Sequence, residues 1–147
     1  MERIIECVPN FSEGRNEGVI KEITGTIEAV TGVQLLDVDP GADTNRTVVT
    51  MVGLPDDVAE AAFQAVKRAS QLIDMRQHRG AHPRFGATDV VPFVPVSGVT
   101  MDDCVKIARQ VGKRIGEDLE IPVYLYENAA TRPERCNLSR VRSGEYE

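Results

Sequence analysis

Both histidines of the chain, His78 and His82, fall between Met75 and Thr88, a stretch with no Asp or Glu that also carries Arg76, Arg79 and Arg84. His82 stands in GAHPRFGA, with glycines on either side and Pro83 after it. That composition makes a tight, shaped loop leading into a strand. A histidine held by backbone in this way titrates near neutrality and is the commonest side chain for giving and taking protons. Arg79 and Arg84 flank it, and guanidinium groups receive carboxylates through paired hydrogen bonds. Positive charge nearby also favours the neutral, basic form of a histidine. Asp39, expected at the end of a strand, has a carboxylate of the kind that orients a histidine by accepting its ring proton. The plainer alternative for each of these groups is a solvated surface charge.

Other chemistries are less well supported. His78 and His82 would share a helix face at their spacing of four, but Gly80 lies between them and no acidic third ligand is near in sequence, so no metal site is expected. Two turn-rich polar segments, Asn10–Gly14 (NFSEG) and Asp43–Arg46 (DTNR), offer donors to a ligand. Neither matches a phosphate-cradling or dinucleotide fingerprint, so ATP and NAD are not supported. No serine or cysteine sits in a nucleophile elbow. Cys7 and Cys104 read as core residues.

The elements that must position these groups follow from periodicity. Arg3–Pro9 is a short apolar run ending at a proline and predicts a strand. Asn16 suits the cap of a helix with apolar positions Val19, Ile20, Ile23, Ile27 and Val30, and Gly32 falls where such a helix ends. Val33–Asp39 and the β-branched Thr47–Val52 predict two further strands around the PGADTNR loop. Pro55 with Asp56 and Asp57 opens a second helix with a stripe of Val58, Ala62, Ala65, Ala69, Leu72 and Ile73. Thr88–Val94 is a fourth strand whose Pro92 suggests an edge or bulge. Thr100 and Asp103 make a capping box for a third helix bearing Cys104, Ala108, Val111, Ile115 and Leu119. Val123–Tyr126 predicts a fifth short strand, and the tail from Thr131 is polar.

The first four strands and two helices run β-α-β-β-α-β, the split βαβ or ferredoxin-like order, an α+β class with both helices on one face of an antiparallel sheet. Alternation assigns Ile5, Cys7, Leu36, Val38, Val49 and Met51 to the helix-covered face. The open face is expected to carry Glu6, Asp37, Asp39, Thr50 and Asp89 among Leu35, Val91 and Phe93. Such a face should seek a partner, and a homo-oligomer is expected.

Composition sets the outer limits. The 147 residues suffice for one domain with its own core. A net charge of −6 disfavours nucleic-acid binding, and local basic loops on an acidic chain suit a small anionic ligand. Three widely spaced cysteines form neither a disulfide framework nor a zinc knuckle. The first residues lack a signal-peptide core and no apolar run spans a bilayer, so a cytoplasmic location without membrane contact is expected.

At ECVPNFSEG (6–14), LLDVDPGADTNRTV (35–48), LIDMRQHRGAHPRFGATDVVPFVPV (72–96) and VYLYENAA (123–130) the chain resembles the N-terminal subdomain of glutamate formiminotransferase, in animals fused to a cyclodeaminase. The resemblance runs over 1–147 with several long motifs in order. It implies one of a pair of ferredoxin-like subdomains and transfer of a formimino group between N-formimino-glutamate and tetrahydrofolate, a reaction of histidine metabolism. It aligns the family's catalytic histidine with His82 and its partner aspartate with Asp39. It also implies that Asn10, Arg46, Arg79 and Arg84 line a site for folate and glutamate carboxylates, with tetrahydrofolate as substrate and no metal. Family members continue past Glu147 into a second subdomain packed on the open face, so the chain is expected to need that half. The alternatives are a related folate enzyme of the 5-formyl-tetrahydrofolate cyclo-ligase type and a non-catalytic ferredoxin-like binding or dimerisation module.

Overall fold

The computed structural model describes residues 2–73 and 87–119. Among these residues nine elements follow in order: β1 (Ile4–Cys7), β2 (Asn10–Phe11), α1 (Glu17–Glu28), β3 (Val33–Gly41), β4 (Arg46–Gly53), α2 (Pro55–Leu72), β5 (Thr88–Val90), β6 (Phe93–Ser97) and α3 (Met101–Leu119). All strand pairings are antiparallel. β1 and β2 are two parts of one lane, and β6 and β5 lie beside them as another. The lanes therefore run β3, β4, β1/β2, β6/β5, which is the ferredoxin-like arrangement.

Two prolines make the breaks in these lanes. Pro9 follows β1 and Pro92 precedes β6, and neither has an amide hydrogen to give to a ladder. The breaks face each other, because the Val8 N–H donates to the Pro92 carbonyl at 3.2 Å while the Pro9 carbonyl accepts from Val49 N–H at 3.0 Å. Asn10 and Phe11, expected in a turn, thereby return to the sheet as β2.

The helices start as their sequences require. The Asn16 side chain accepts the Val19 N–H at 3.2 Å and caps α1. Gly32, at φ 92°, makes the left-handed turn out of that helix. Pro55 opens α2 with Asp56 and Asp57 in its first turn. At α3 the box is reciprocal: Thr100 N–H donates to Asp103 Oδ2 at 3.0 Å, and Asp103 N–H donates to Thr100 Oγ1 at 3.2 Å. Those bonds from Thr100 hold the Asp103 carboxyl below its usual range.

The core lies between the sheet and the helices. It joins Ile5, Cys7, Phe11, Val49 and Met51 from the strands to Ile23 and Ile27 of α1, Val58, Ala62, Phe63, Val66 and Ala69 of α2, and Cys104, Ile107, Val111 and Ile115 of α3. On α3 the buried position is Ile107, where the sequence stripe had Ala108. Surface ion pairs tie the helices together. Arg68 of α2 bonds Glu22 of α1, and Arg114 of α3 bonds Glu60 of α2 at 2.8 Å while its guanidinium lies 3.7 Å from the Phe63 ring centroid. Arg114, then Gln64, holds the Glu60 carboxyl below the ordinary glutamate range.

Two breaks in register correct the expected faces. A β-bulge between Leu35 and Asp37 places an extra residue in β3, so Leu35 pairs with Met51 and packs on the core while Leu36 turns out, 50% exposed. Likewise the register shift of β5 between Thr88 and Val90, opposite Phe11 and Asn10, resets the count: Val90 pairs with Asn10, Phe93 pairs with Cys7, and both Val91 and Phe93 pack on the core. The apolar residues on the open side of β6 are instead Val94 and Val96, 40% and 57% exposed. The predicted strand Val123–Tyr126 and the tail lie outside the described residues, as does the side chain of Asp89.

Candidate functional site

The expected ligand-binding segments meet at one end of the sheet. β3 continues past Asp39 to Gly41, and a four-residue turn, Ala42–Asn45, returns the chain into β4. Asp39 pairs with Val48, and Val48 pairs on its other side with Asn10. Residues directly opposite in a ladder share a face, so Asp39, Val48 and Asn10 form one row on the open side. Lane spacing puts Asp39 and Asn10 about 10 Å apart across that row. Arg46, two residues before Val48, opens β4 on the same side, opposite Gly41. Asn10 is nearly buried and donates from Nδ2 to the Val8 carbonyl at 3.1 Å; Asp39 is exposed and Arg46 half-buried.

The segment that follows Asn10 docks against the hairpin. Gly14 N–H donates to Asn45 Oδ1 at 2.9 Å, Arg15 Nε–H to the Ala42 carbonyl at 2.8 Å, and Thr47 Oγ1–H to the Glu13 carbonyl. Gly14 must be glycine here, because a Cβ would sit 2.3 Å from the Gly41 oxygen and 2.6 Å from the Arg46 nitrogen. Glu13 Oε2 accepts the N–H groups of Arg15 and Asn16, each at 3.0 Å, and so steadies the entry to α1. Buried Ser12 donates its N–H to the carbonyl of Ala87 at 2.8 Å. Ala87 is the last residue of the GAHPRFGA motif, so NFSEG touches both the DTNR hairpin and the end of the histidine motif.

His82, Arg79 and Arg84 lie outside the described residues, as do His78 and the arginines beyond Leu119. Of the expected site residues, Asn10, Asp39 and Arg46 are therefore the ones the described structure brings to one end of one face. Sequence reasoning missed the residues that join them. Asn45, at φ 51°, is the clearest, and an asparagine just before a β-branched strand is a recognisable signal for a left-handed turn residue.

Of the described residues, the thiols Cys7 and Cys104 do not belong to this site. Cys7 is fully buried on the helix-covered face, and burial, then the Glu6 charge, pushes its thiol far above the usual range. Cys104 is raised by burial and by Asp103. Neither offers a thiolate near neutrality. Among the described residues no three His, Cys, Asp or Glu side chains gather to hold a metal ion, and no helix is long and apolar enough to cross a membrane.

Comparison with known proteins shows the family. Residues 4–147 match the family model described as formiminotransferase domain, N-terminal subdomain. The chain is 56% identical over all of its 147 residues to the formimidoyltransferase-cyclodeaminase of Rattus norvegicus, covering 27% of that protein. It is 53% identical over its whole length to the glutamate formimidoyltransferase of Streptococcus pyogenes serotype M1, covering 49% of that protein. Over 144 residues it is 48% identical to the glutamate formimidoyltransferase of Thermoplasma acidophilum, covering 98% of this chain and 48% of the relative. The chain thus spans about half the length of the monofunctional relatives it matches and about a quarter of the bifunctional one. With its ferredoxin-like order and its motif-bearing loops gathered at one end of the sheet, the chain belongs to the formiminotransferase N-terminal subdomain family.

Proposed function

We propose that the protein carrying this chain is an enzyme that transfers a formimino group between N-formimino-glutamate and tetrahydrofolate. The observation that carries the reading is the gathering of the NFSEG segment, the DTNR hairpin and the Ala87 end of the histidine motif at one end of a sheet, in a chain whose relatives are named for this transfer. An amine nitrogen of tetrahydrofolate attacks the formimino carbon, a tetrahedral centre forms, and the bond to the glutamate nitrogen breaks as that centre collapses. The attacking nitrogen must lose a proton and the leaving nitrogen must gain one. His82 carries that proton as general base and then general acid. Asp39 orients His82 by accepting its other ring proton. Asn10, Arg46, Arg79 and Arg84 receive the carboxylates of glutamate and of the folate tail, for which paired guanidinium bonds suit.

The substrate site is completed by the rest of the protein. Leu36, Val94 and Val96 leave apolar surface on the open side, and the relatives contain about as much chain again. That remainder packs on this face and closes the site, with a second copy of the chain as the other occupant of such a surface. The buried free thiols Cys7 and Cys104 suit a reducing, cytoplasmic setting.

Formimino transfer by the complete protein, measured with N-formimino-glutamate and tetrahydrofolate, tests the reading. His82→Ala should lower kcat by about a hundredfold or more. An unchanged rate would remove His82 from the chemistry. Turnover of a 5-formyl donor in preference to the formimino donor would move the protein to the cyclo-ligase alternative, and folate binding without turnover of either would make it a binding module.

A further inference from the structure

We infer that Asn45 is a positioning residue that clasps the segment following Asn10 against the hairpin that carries Asp39 and Arg46. Its kinetic consequence rests on the proposed formimino transfer. Asn45 is 7% exposed and holds φ 51°, a left-handed conformation that asparagine tolerates better than most side chains. Its backbone N–H closes the turn on the Ala42 carbonyl at 3.3 Å, and its Oδ1 accepts the buried Gly14 N–H at 2.9 Å. One residue therefore both shapes the hairpin that ends with Asp39 on one arm and Arg46 on the other, and grips the segment that leads back to Asn10. The grip is close, since Gly14 has no room for a side chain against the Gly41 oxygen and the Arg46 nitrogen. The neighbouring bonds, from Arg15 to Ala42 and from Thr47 to Glu13, run between the same two segments and leave the Asn45 amide as the link at their centre. Without that acceptor the Gly14 N–H is left buried and unpaired, and the two segments separate to hydrate it. A shift of about 1 Å between binding and orienting groups is enough to slow a positioned reaction.

Two variants separate the acceptor from the backbone shape. Asn45→Gly keeps the positive φ and removes the oxygen; Asn45→Asp keeps an acceptor of the same reach. In the complete protein, amide exchange at Gly14 should quicken about tenfold in Asn45→Gly and stay near the original rate in Asn45→Asp. In parallel, kcat/KM for formimino transfer should fall about tenfold in Asn45→Gly, with KM for the glutamate substrate taking the larger share, and Asn45→Asp should recover most of it. Unaltered Gly14 exchange in Asn45→Gly would overturn the clasp. Equal kcat/KM in the two variants, at matched thermal midpoints, would overturn the positioning role. If the unsubstituted protein transfers no formimino group, the kinetic role falls with the functional reading, and Gly14 exchange still decides the clasp.

Discussion

The two faces of the sheet are made by the same strands and do different work. On the helix side Ile5, Cys7, Val49 and Met51 are fully buried. One residue along in each strand, Glu6, Val48 and Thr50 look out from the open side, in rows with Val94, Asp39 and Asp37. Within an unbroken strand, alternation sorts residues between those that hold the fold and those that the proposed transfer would use. It implies that stability and activity can be damaged separately by substitutions only a few residues apart.

The largest expected separation is between Met51→Ala and Asp39→Asn. Removing the Met51 side chain opens a cavity under the helices and should cost about 2–5 kcal/mol in urea unfolding. Asp39→Asn, on the exposed face, should leave stability within about 0.5 kcal/mol and lower kcat by about a hundredfold. A stable, fully active Asp39→Asn enzyme would break the division.

A sharper test uses adjacent residues. If the bulge places Leu35 and Leu36 as described, Leu35→Ala should cost about 1–2 kcal/mol, less than a fully buried leucine, while Leu36→Ala costs about 0.5 kcal/mol or less. The reverse order in chemical denaturation would restore simple alternation and remove the bulge.

The smallest effect lies on the outer helices. Because both partners are about two-fifths exposed, Arg114→Met should cost only about 0.5 kcal/mol near neutrality. Its sign with pH follows from Glu60, whose carboxyl titrates lower in the fold than in the unfolded chain. The contribution is present above the unfolded value of about 4.3 and is lost as pH falls through the folded one. Unfolding midpoints of the two proteins should therefore converge below about pH 4.3.

The order of elements, the caps at Asn16 and Thr100 and the apolar stripe of α1 were legible in the sequence, because capping and helical spacing are local. The two inverted assignments were not. A period of two carries no memory of an inserted residue, so one bulge at Leu36 or one register shift between Thr88 and Val90 reverses the assignments on one side of it. The candidate site was legible as separate motifs, and the strand register brings Asp39, Asn10 and Arg46 to one end of one face. What joins them was hidden, because Asn45 and Gly14 lie 31 positions apart and bond through a backbone amide that has no sequence signature of its own.

The facing prolines have a mechanical consequence. Pro9 and Pro92 interrupt two neighbouring lanes at one height, and the sheet divides there into two panels that β4, unbroken beside them, ties together. One panel, of β1 with β6, carries the apolar Val94 and Val96; the other, of β2 with β5, carries Asn10 and the entry from Ala87. Because β4 spans both panels, the seam leaves the exposed valines and the Asn10 end on one continuous sheet.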